Sequence, residues 1–480
     1  MMTSKQKRIG YTLAVVPLTL SVLAGCASST TTSSATSSPQ ASAAATSSTA
    51  STAPKTTTTI KVWTLNRHDQ DYMQNMVDTF NKSNKDGIKI DYQIYSENYN
   101  QSLDIAMSTN EGPDVFFDGG TAYADHLPKG DLLPLDKYLT PEFKQRFGDG
   151  AFLDGVNMKD GKTYSIPAIG STARLFYNKG IFEKAGIAGP PKTMAELTAD
   201  AKQITDKLKG QGIYGFAMNL KSPGSAFGRS LEFVNMRNGG VYGGYDFKQG
   251  KYDFSSYKPT LNAFKDLYSS GAMFPGSTSL DIDPLRTQFA AGKIGMYFGL
   301  THAEPGVYTT QFPTKEDWDV APIPTIDGTV KGAQQIIVAG RWFLANAHTQ
   351  HPDEAWKVMN YLYSDELLTG YHEKGLGIVM VPSVISHAKQ SDNLKKWPAL
   401  GFTDTDKVYP PNPTGVQAQG NDSAFVMNAI IQGAQDIDKG IADLNTRYND
   451  AYDKAIAAGK TAKIQYPNFD PMNPGKSASK

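Results

Sequence analysis

Seven histidines, one cysteine and 47 carboxylates make up most of the chain's stock of reactive side chains, and their spacing excludes much of the chemistry they might perform. His348 and His351 lie three apart beside Pro352, without the glutamate partner of a zinc-protease helix, so a solvated turn is the expected home of both. No Gly-x-Ser-x-Gly nucleophile elbow is present. The run from Gly155 to Gly161-Lys162-Thr163 approximates a phosphate loop, but it has five residues between the glycines instead of four. It also leads into Tyr-Ser-Ile-Pro, a strand, where a phosphate loop must open a helix so that its N–H groups face the anion. Gly375 and Gly377 lack the third glycine and the preceding strand of a dinucleotide fold. A glycosidase needs two carboxyls facing each other across a sugar. Asp118, Glu232 and Glu304 are candidates to border a cleft, yet nothing in the sequence pairs them. Acids that hydrogen-bond hydroxyls or face water are the preferred reading, so no catalytic residue, no metal ligand and no cofactor is assigned.

The lone cysteine has a different context. Lys5, Lys7 and Arg8 precede an apolar run from Tyr11 to Leu23, which ends in Leu23-Ala24-Gly25-Cys26. Basic start, short apolar core and small residues before a cut are the layout of a secretory leader, and the run is shorter than the roughly 20 apolar residues of a membrane span. Leu-Ala-Gly-Cys resembles the lipobox of bacterial lipoproteins, which implies a leader over residues 1–25 and a lipid anchor on Cys26. Residues 26–57 are almost wholly Ser, Thr and Ala and cannot offset their ordering entropy by burial. They are expected to form a tether, with an average reach of roughly 30 Å for some thirty residues.

The elements that must position any site begin near Thr58. Ile60 and Val62 alternate as a strand, Tyr72, Met76, Val77 and Phe80 share a helical face, and Ile88 to Ile94 alternate again. Leu103, Ala106 and Met107 mark a second helix before the buried strand Val115-Phe116-Phe117. This alternation implies right-handed crossovers and a mainly parallel sheet, whose ligands sit beyond the carboxyl ends of the strands. The loops 64–69 and 118–121 are therefore the ones to watch. A second unit comes next: a strand at Leu175–Tyr177, a capped helix at Thr193 and Glu196, strands near 214–218, 294–298 and 318–321, and a strand over 336–344. Residues 222–250 read as a long surface loop, and Ile437 to Ala455 form the seam of a long final helix. Lys and Arg total 47, matching the acids, which excludes the basic surplus of a nucleic-acid binder.

Thr59-Ile-Lys-Val-Trp63, Glu111-Gly-Pro-Asp-Val-Phe-Phe-Asp118, Gly161-Lys-Thr-Tyr-Ser-Ile-Pro167 and Leu175-Phe-Tyr-Asn-Lys179 resemble bacterial extracellular solute-binding proteins of the sugar-binding type. Pro190 to Leu197, Phe289 to Met296, Asp319 to Pro324 and Ala355 to Leu362 continue the resemblance, which covers residue 58 to the mid-450s. It implies an α/β, two-lobed clamp like the type II periplasmic binding proteins, with a ligand cleft between lobes. Lobe 1 is expected over 58–169 and 326–376, and lobe 2 over 170–325 and 377–480, with hinges near Ile169, Thr325 and Leu376. The implied function is non-catalytic: capture of a carbohydrate, similar to maltodextrin binding, and delivery to the membrane permease of an ATP-driven importer. The implied state is a monomer held by lipid on the outer face of a Gram-positive cell membrane. The alternatives are a secreted glycoside hydrolase and a binder of a non-sugar solute.

By position against maltodextrin binders, the resemblance implies ligand contacts from Asn66, Arg67, Asp118, Thr121, Ser171, Arg229, Thr301, Gln334 and Gln335. Paired sugar hydroxyls suit such planar side chains as Arg, Asp, Asn and Gln, and the apolar C–H face suits an aromatic ring. Phe227 and Trp342 are the candidate rings, with Phe298 and Tyr242 to Tyr245 as further options. Arg67, Arg174, Arg229 and Arg341 leave room for an acidic sugar.

Overall fold

The computed structural model describes residues 57–95, 98–148, 151–152, 156–337 and 341–475. The leader, Cys26, most of the tether and Gly155 lie outside the described residues. Two large apolar cores, with a smaller third cluster around Phe176, Trp318 and Trp397, organise the folded chain among the described residues.

The first core surrounds a four-stranded sheet. Thr58–Thr64 pairs in parallel with Ile88–Ile94 on one side and with Val115–Phe117 on the other. Phe343–Ala345 then closes the edge antiparallel to Val115–Phe117. The alternation read in the first strand is real: Ile60 and Val62 are buried, and Lys61 is exposed. The helix Gln70–Ser83 buries Met73, Val77 and Phe80, so its inner face is turned slightly from the Tyr72 and Met76 side expected. Tyr72 and Met76 pack at the margin of that core.

The second core lies around the sheet order Trp318–Ala321, Ala173–Asn178, Ile294–Leu300, Tyr214–Phe216. Only the last pair is parallel. The helix Met194–Leu208 is held by a full capping box: Thr193 accepts from the Glu196 amide, and Glu196 accepts from the Thr193 amide. Two expectations fail here. Residues 222–250 are no surface loop, since the helices Pro223–Phe227 and Leu231–Arg237 bury Phe227, Leu231, Phe233, Val234 and Met236 in the core. Their glycines and aromatics mask helices too short to show a clear period. The strand foreseen over 336–344 is also broken, with Gln334–Gln335 pairing beside Asp406–Lys407 and Phe343–Ala345 joining the other lobe.

Packing locates the crossovers between lobes. Ile169 belongs to the first core and Ala173 to the second. Ile326, Ala333 and Ile337 pack on the second core, and Trp342 returns to the first. Val379, Val381 and Val384 stay with the first core, and Leu394 and Trp397 pack beneath the second sheet. The later two crossings therefore fall well after residues 325 and 376. At the first crossing, Ile169–Gly170 pairs with Ile378–Val379 and Ser171 bridges Ile337. A Cβ on Gly170 would sit 2.6 Å from Met380 Sδ and 2.8 Å from Ile336 Cγ2 and Phe402 Cζ, so any larger residue would force these three side chains to shift. Among the described residues, no helix is long and apolar enough to cross a membrane.

Candidate functional site

A cleft of 1120 Å³ opens between the two cores. Its first wall is built from the loops at the carboxyl ends of Thr58–Thr64 and Val115–Phe117, as strand topology requires, together with Arg341 and Trp342. Its second wall comes from the Ser222–Arg229 turn, Tyr242, the start of the helix Ile282–Ala290, His302, and the loop Pro410–Val416.

Asp118 is the pivot of the first wall. It is fully buried, accepts from the Tyr123 amide at 2.7 Å, and accepts from Arg341 Nε at 3.2 Å. Gly119 and Gly120 come next with φ of +60° and +92°, and this left-handed turn lets the chain start the helix at Ala122 while the carboxylate points back. Arg341 lies over the Tyr123 ring at 4.9 Å, so one guanidinium is fixed by an acid and an aromatic face together. Trp342 is 2 % exposed and meets Tyr363 and Tyr371 edge-on; it is a core side chain with one edge on the cleft.

The second wall rests on a buried ionic network. Arg286 makes a bidentate pair with Glu304 (Nε at 2.9 Å, Nη2 at 2.7 Å) and reaches Asp283 at 3.2 Å. Tyr308 donates to the Tyr297 hydroxyl, which donates to Glu304. Burial opposes the Arg286 charge, but the Glu304 carboxylate and its bonds outweigh this and raise the guanidinium pKa. Burial also holds His302 well below the ordinary histidine range, with His68, Arg286 and Arg229 adding repulsion, so its ring is neutral. The hydroxyl of Ser171 bonds His302 Nδ1 at 2.6 Å.

The walls touch at one end. Arg67 Nη2 reaches Asp283 at 2.7 Å, and the rings of His68 and His302 meet edge-on at 5.1 Å. Tyr242 also lines the cleft: burial and the nearby Glu232 push its hydroxyl up to about 12, and the charge of Arg341 pulls it back. Gln335 Oε1 and Asn412 Oδ1 are buried acceptors on the cleft wall without a protein donor. Such groups ask for a ligand hydroxyl or for water.

Seven of the eleven side chains expected at the ligand line this cleft: Asn66, Arg67, Asp118, Thr121, Arg229, Gln335 and Trp342. Four are placed elsewhere. Phe227 is packed in the second core, and Gln334 is fully buried, donating to Thr172 Oγ1 and the Ala173 carbonyl. Ser171 and Thr301 face each other behind the wall at 3.4 Å, where Thr301 accepts from the Thr172 amide. Phe298 is core as well. Arg174 is buried at the crossover, bound to Asp406 and to the carbonyls of Ala399 and Gly401. Sequence reasoning missed His68, Asp283, Arg286, His302 and the 410–416 loop. Pro410-Pro411-Asn412-Pro413 was the available signal for the last, a rigid turn holding one amide side chain. Among the described residues no cluster of His, Cys, Asp or Glu has metal-binding geometry.

The family model described as bacterial extracellular solute-binding protein matches residues 66–367. A putative binding protein of Brucella abortus is 29% identical over 274 residues, which cover 55% of this chain and 62% of that relative. The diacetylchitobiose binding protein DasA of Streptomyces coelicolor is 25% identical over 415 residues, covering 83% of this chain and 90% of that one. Among solved structures, the GacH receptor of Streptomyces glaucescens, solved unliganded and with acarbose, aligns with a TM-score of 0.65 at 22% identity. That alignment covers 82% of this chain and 98% of the receptor. A solute binding protein from Thermotoga lettingae bound with α-D-tagatose gives 0.65 at 20% identity over 82% of this chain and 100% of that one. These structural likenesses bear on the two-lobed α/β fold.

Proposed function

The chain belongs to the bacterial extracellular solute-binding protein family, and on that premise we propose that it captures a carbohydrate between its lobes and delivers it to an importer. The observation that carries this reading is the lining of the cleft. Asn66, Arg67, Asp118, Gln335, Arg341 and Asn412 supply planar donors and acceptors, and Tyr242 and Trp342 supply ring edges or faces. That mixture suits a ligand with paired hydroxyls and apolar C–H faces. The relatives named for diacetylchitobiose and studied with acarbose lend support.

The chemistry of the acids argues for binding without turnover. Asp118 and Glu304 are each committed to an arginine. Glu232, although its carboxyl is raised to about 7, is held by Tyr257 and the Gly243 amide and does not line the cleft. A general acid must instead present its own transferable proton to the ligand. Isothermal titration against mono- and oligosaccharides tests the assignment, with parallel assay for new reducing ends. One-to-one binding without new ends is expected. Binding of an amino acid or polyamine in place of any sugar, or release of reducing ends, would overturn it.

The leader and the Ser/Thr/Ala-rich segment extend the proposal: the protein is a monomer moored through lipid on Cys26 outside the cytoplasm, within reach of its permease. Cys26→Ala is expected to release the protein into the medium with sugar affinity unchanged; retention at the membrane would remove the anchor from this reading.

A further inference from the structure

Histidines aside, five cationic side chains line the cleft, and four of them have carboxylate partners among the described residues. Arg67 pairs with Asp283, Arg286 with Glu304, Arg341 with Asp118, and Lys221 with Asp281. Arg229 has none. Its Nε donates to the Ser225 carbonyl at 2.9 Å, and its Nη2 donates to Ser225 Oγ at 3.0 Å. These bonds fix the plane of the guanidinium without neutralising it. Of the five N–H donors an arginine carries, three stay uncommitted, and they lie on the Nη1 and Nη2 edge that grips a carboxylate or phosphate in bidentate fashion.

The surroundings sharpen the imbalance. Where the walls meet, Arg67 of the first wall joins Arg229 and Arg286 of the second around Asp283 and Glu304, three guanidiniums against two carboxylates. Burial, with repulsion from Arg286, pulls the Arg229 pKa down to about 10, against an opposing pull from Glu304, Tyr297 and Asp283. The remaining acid lining the cleft, Asp125, is exposed and belongs to the first wall.

We propose that Arg229 is an anion subsite of this cleft and that the captured carbohydrate carries a carboxylate or a phosphate. The inference rests on the carbohydrate reading above and narrows it to acidic sugars.

The test titrates the full soluble chain with trigalacturonate against a neutral galactotriose of the same linkage, and with glucose 1-phosphate against glucose. One anionic member is expected to bind about tenfold to a hundredfold tighter than its neutral counterpart, the range of a charge-assisted bidentate contact. Which pair shows the preference tells carboxylate from phosphate. In Arg229→Gln that preference ratio is expected to collapse toward one, with Arg229→Lys keeping part of it. Should Arg229→Gln fail to fold, salt provides the second readout: the wild-type preference should shrink as ionic strength rises. Equal binding of neutral and anionic sugars, or a preference that survives Arg229→Gln, overturns the anion subsite and leaves sugar capture standing. Binding of none of the four overturns the anion subsite, and sugar capture is then decided by the wider panel above.

Discussion

At the scale of single residues, the arginines divide by what surrounds them. Arg174 reads in the sequence like any other candidate for an acidic ligand, yet the fold buries it to 2 % exposure against Asp406. Burial pushes the Asp406 carboxyl up, but bonds from Arg174 and Thr403 outweigh it and hold it below its ordinary 3.8. That pair therefore contributes stability above about pH 4, which is lost as pH falls through the depressed folded value. Truncating one partner of a buried pair leaves an uncompensated charge, so Arg174→Ala is expected to cost about 3–5 kcal/mol in urea unfolding. Little or no loss would contradict the structural role. Glu232 behaves in the opposite sense. Burial raises its carboxyl from 4.5 to about 7, although Tyr257 and the Gly243 amide both donate to it. With the folded value above the unfolded one, the folded state binds the extra proton, so stability falls as pH rises from about 4.5 to 7 and stays lower above. Glu232→Gln keeps an acceptor for both donors and carries no charge. It is expected to flatten thermal stability across that window, leaving the variant more stable than wild type at pH 8; an unchanged pH profile would contradict this.

At the scale of elements, local signals were legible where they recur. The capping box at Thr193 was visible as a Thr-x-x-Glu pattern and stands in the structure. Thr193→Ala should therefore cost about 1 kcal/mol, within the range for loss of an N-cap, measured by thermal or urea unfolding. The final helix Ile437–Ala457 buries Ile441, Leu444, Ala451 and Ala455, the heart of the seam read from spacing. The failures share a cause, since they fall where tertiary contact decides and period does not. The 222–250 segment folds into two helices of five and seven residues, each shorter than two full turns. The 336–344 run is apolar at both ends, and nothing local reveals that those ends serve different lobes. The site was legible to the same degree. Asn66, Arg67, Asp118 and Thr121, implied by the resemblance and lying on loops that strand topology had also singled out, line the cleft. Ser171 and Thr301, implied by the same resemblance but on no loop that topology singled out, lie behind the wall. Asp283, Arg286 and His302 carried no local pattern, because their significance lies in partners brought from far along the chain.

At the scale of the molecule, three chain crossings join two cores around one polar cleft. The walls already meet through Arg67 and Asp283, but this pair is partly exposed, and such contacts are worth about 0–1 kcal/mol. A contact this weak does not hold the lobes together by itself, so in the proposed clamp closure is expected to depend on what fills the cleft. A ligand gripped between lobes must feel losses on both sides. The direct measurement is the calorimetric affinity of one bound sugar for wild type, Arg341→Ala and Tyr242→Ala, which alter opposite walls. Each variant is expected to weaken the same one-to-one binding by about tenfold or more, the range of a central contact. Weakening by one variant alone, or by neither, would contradict capture between the lobes.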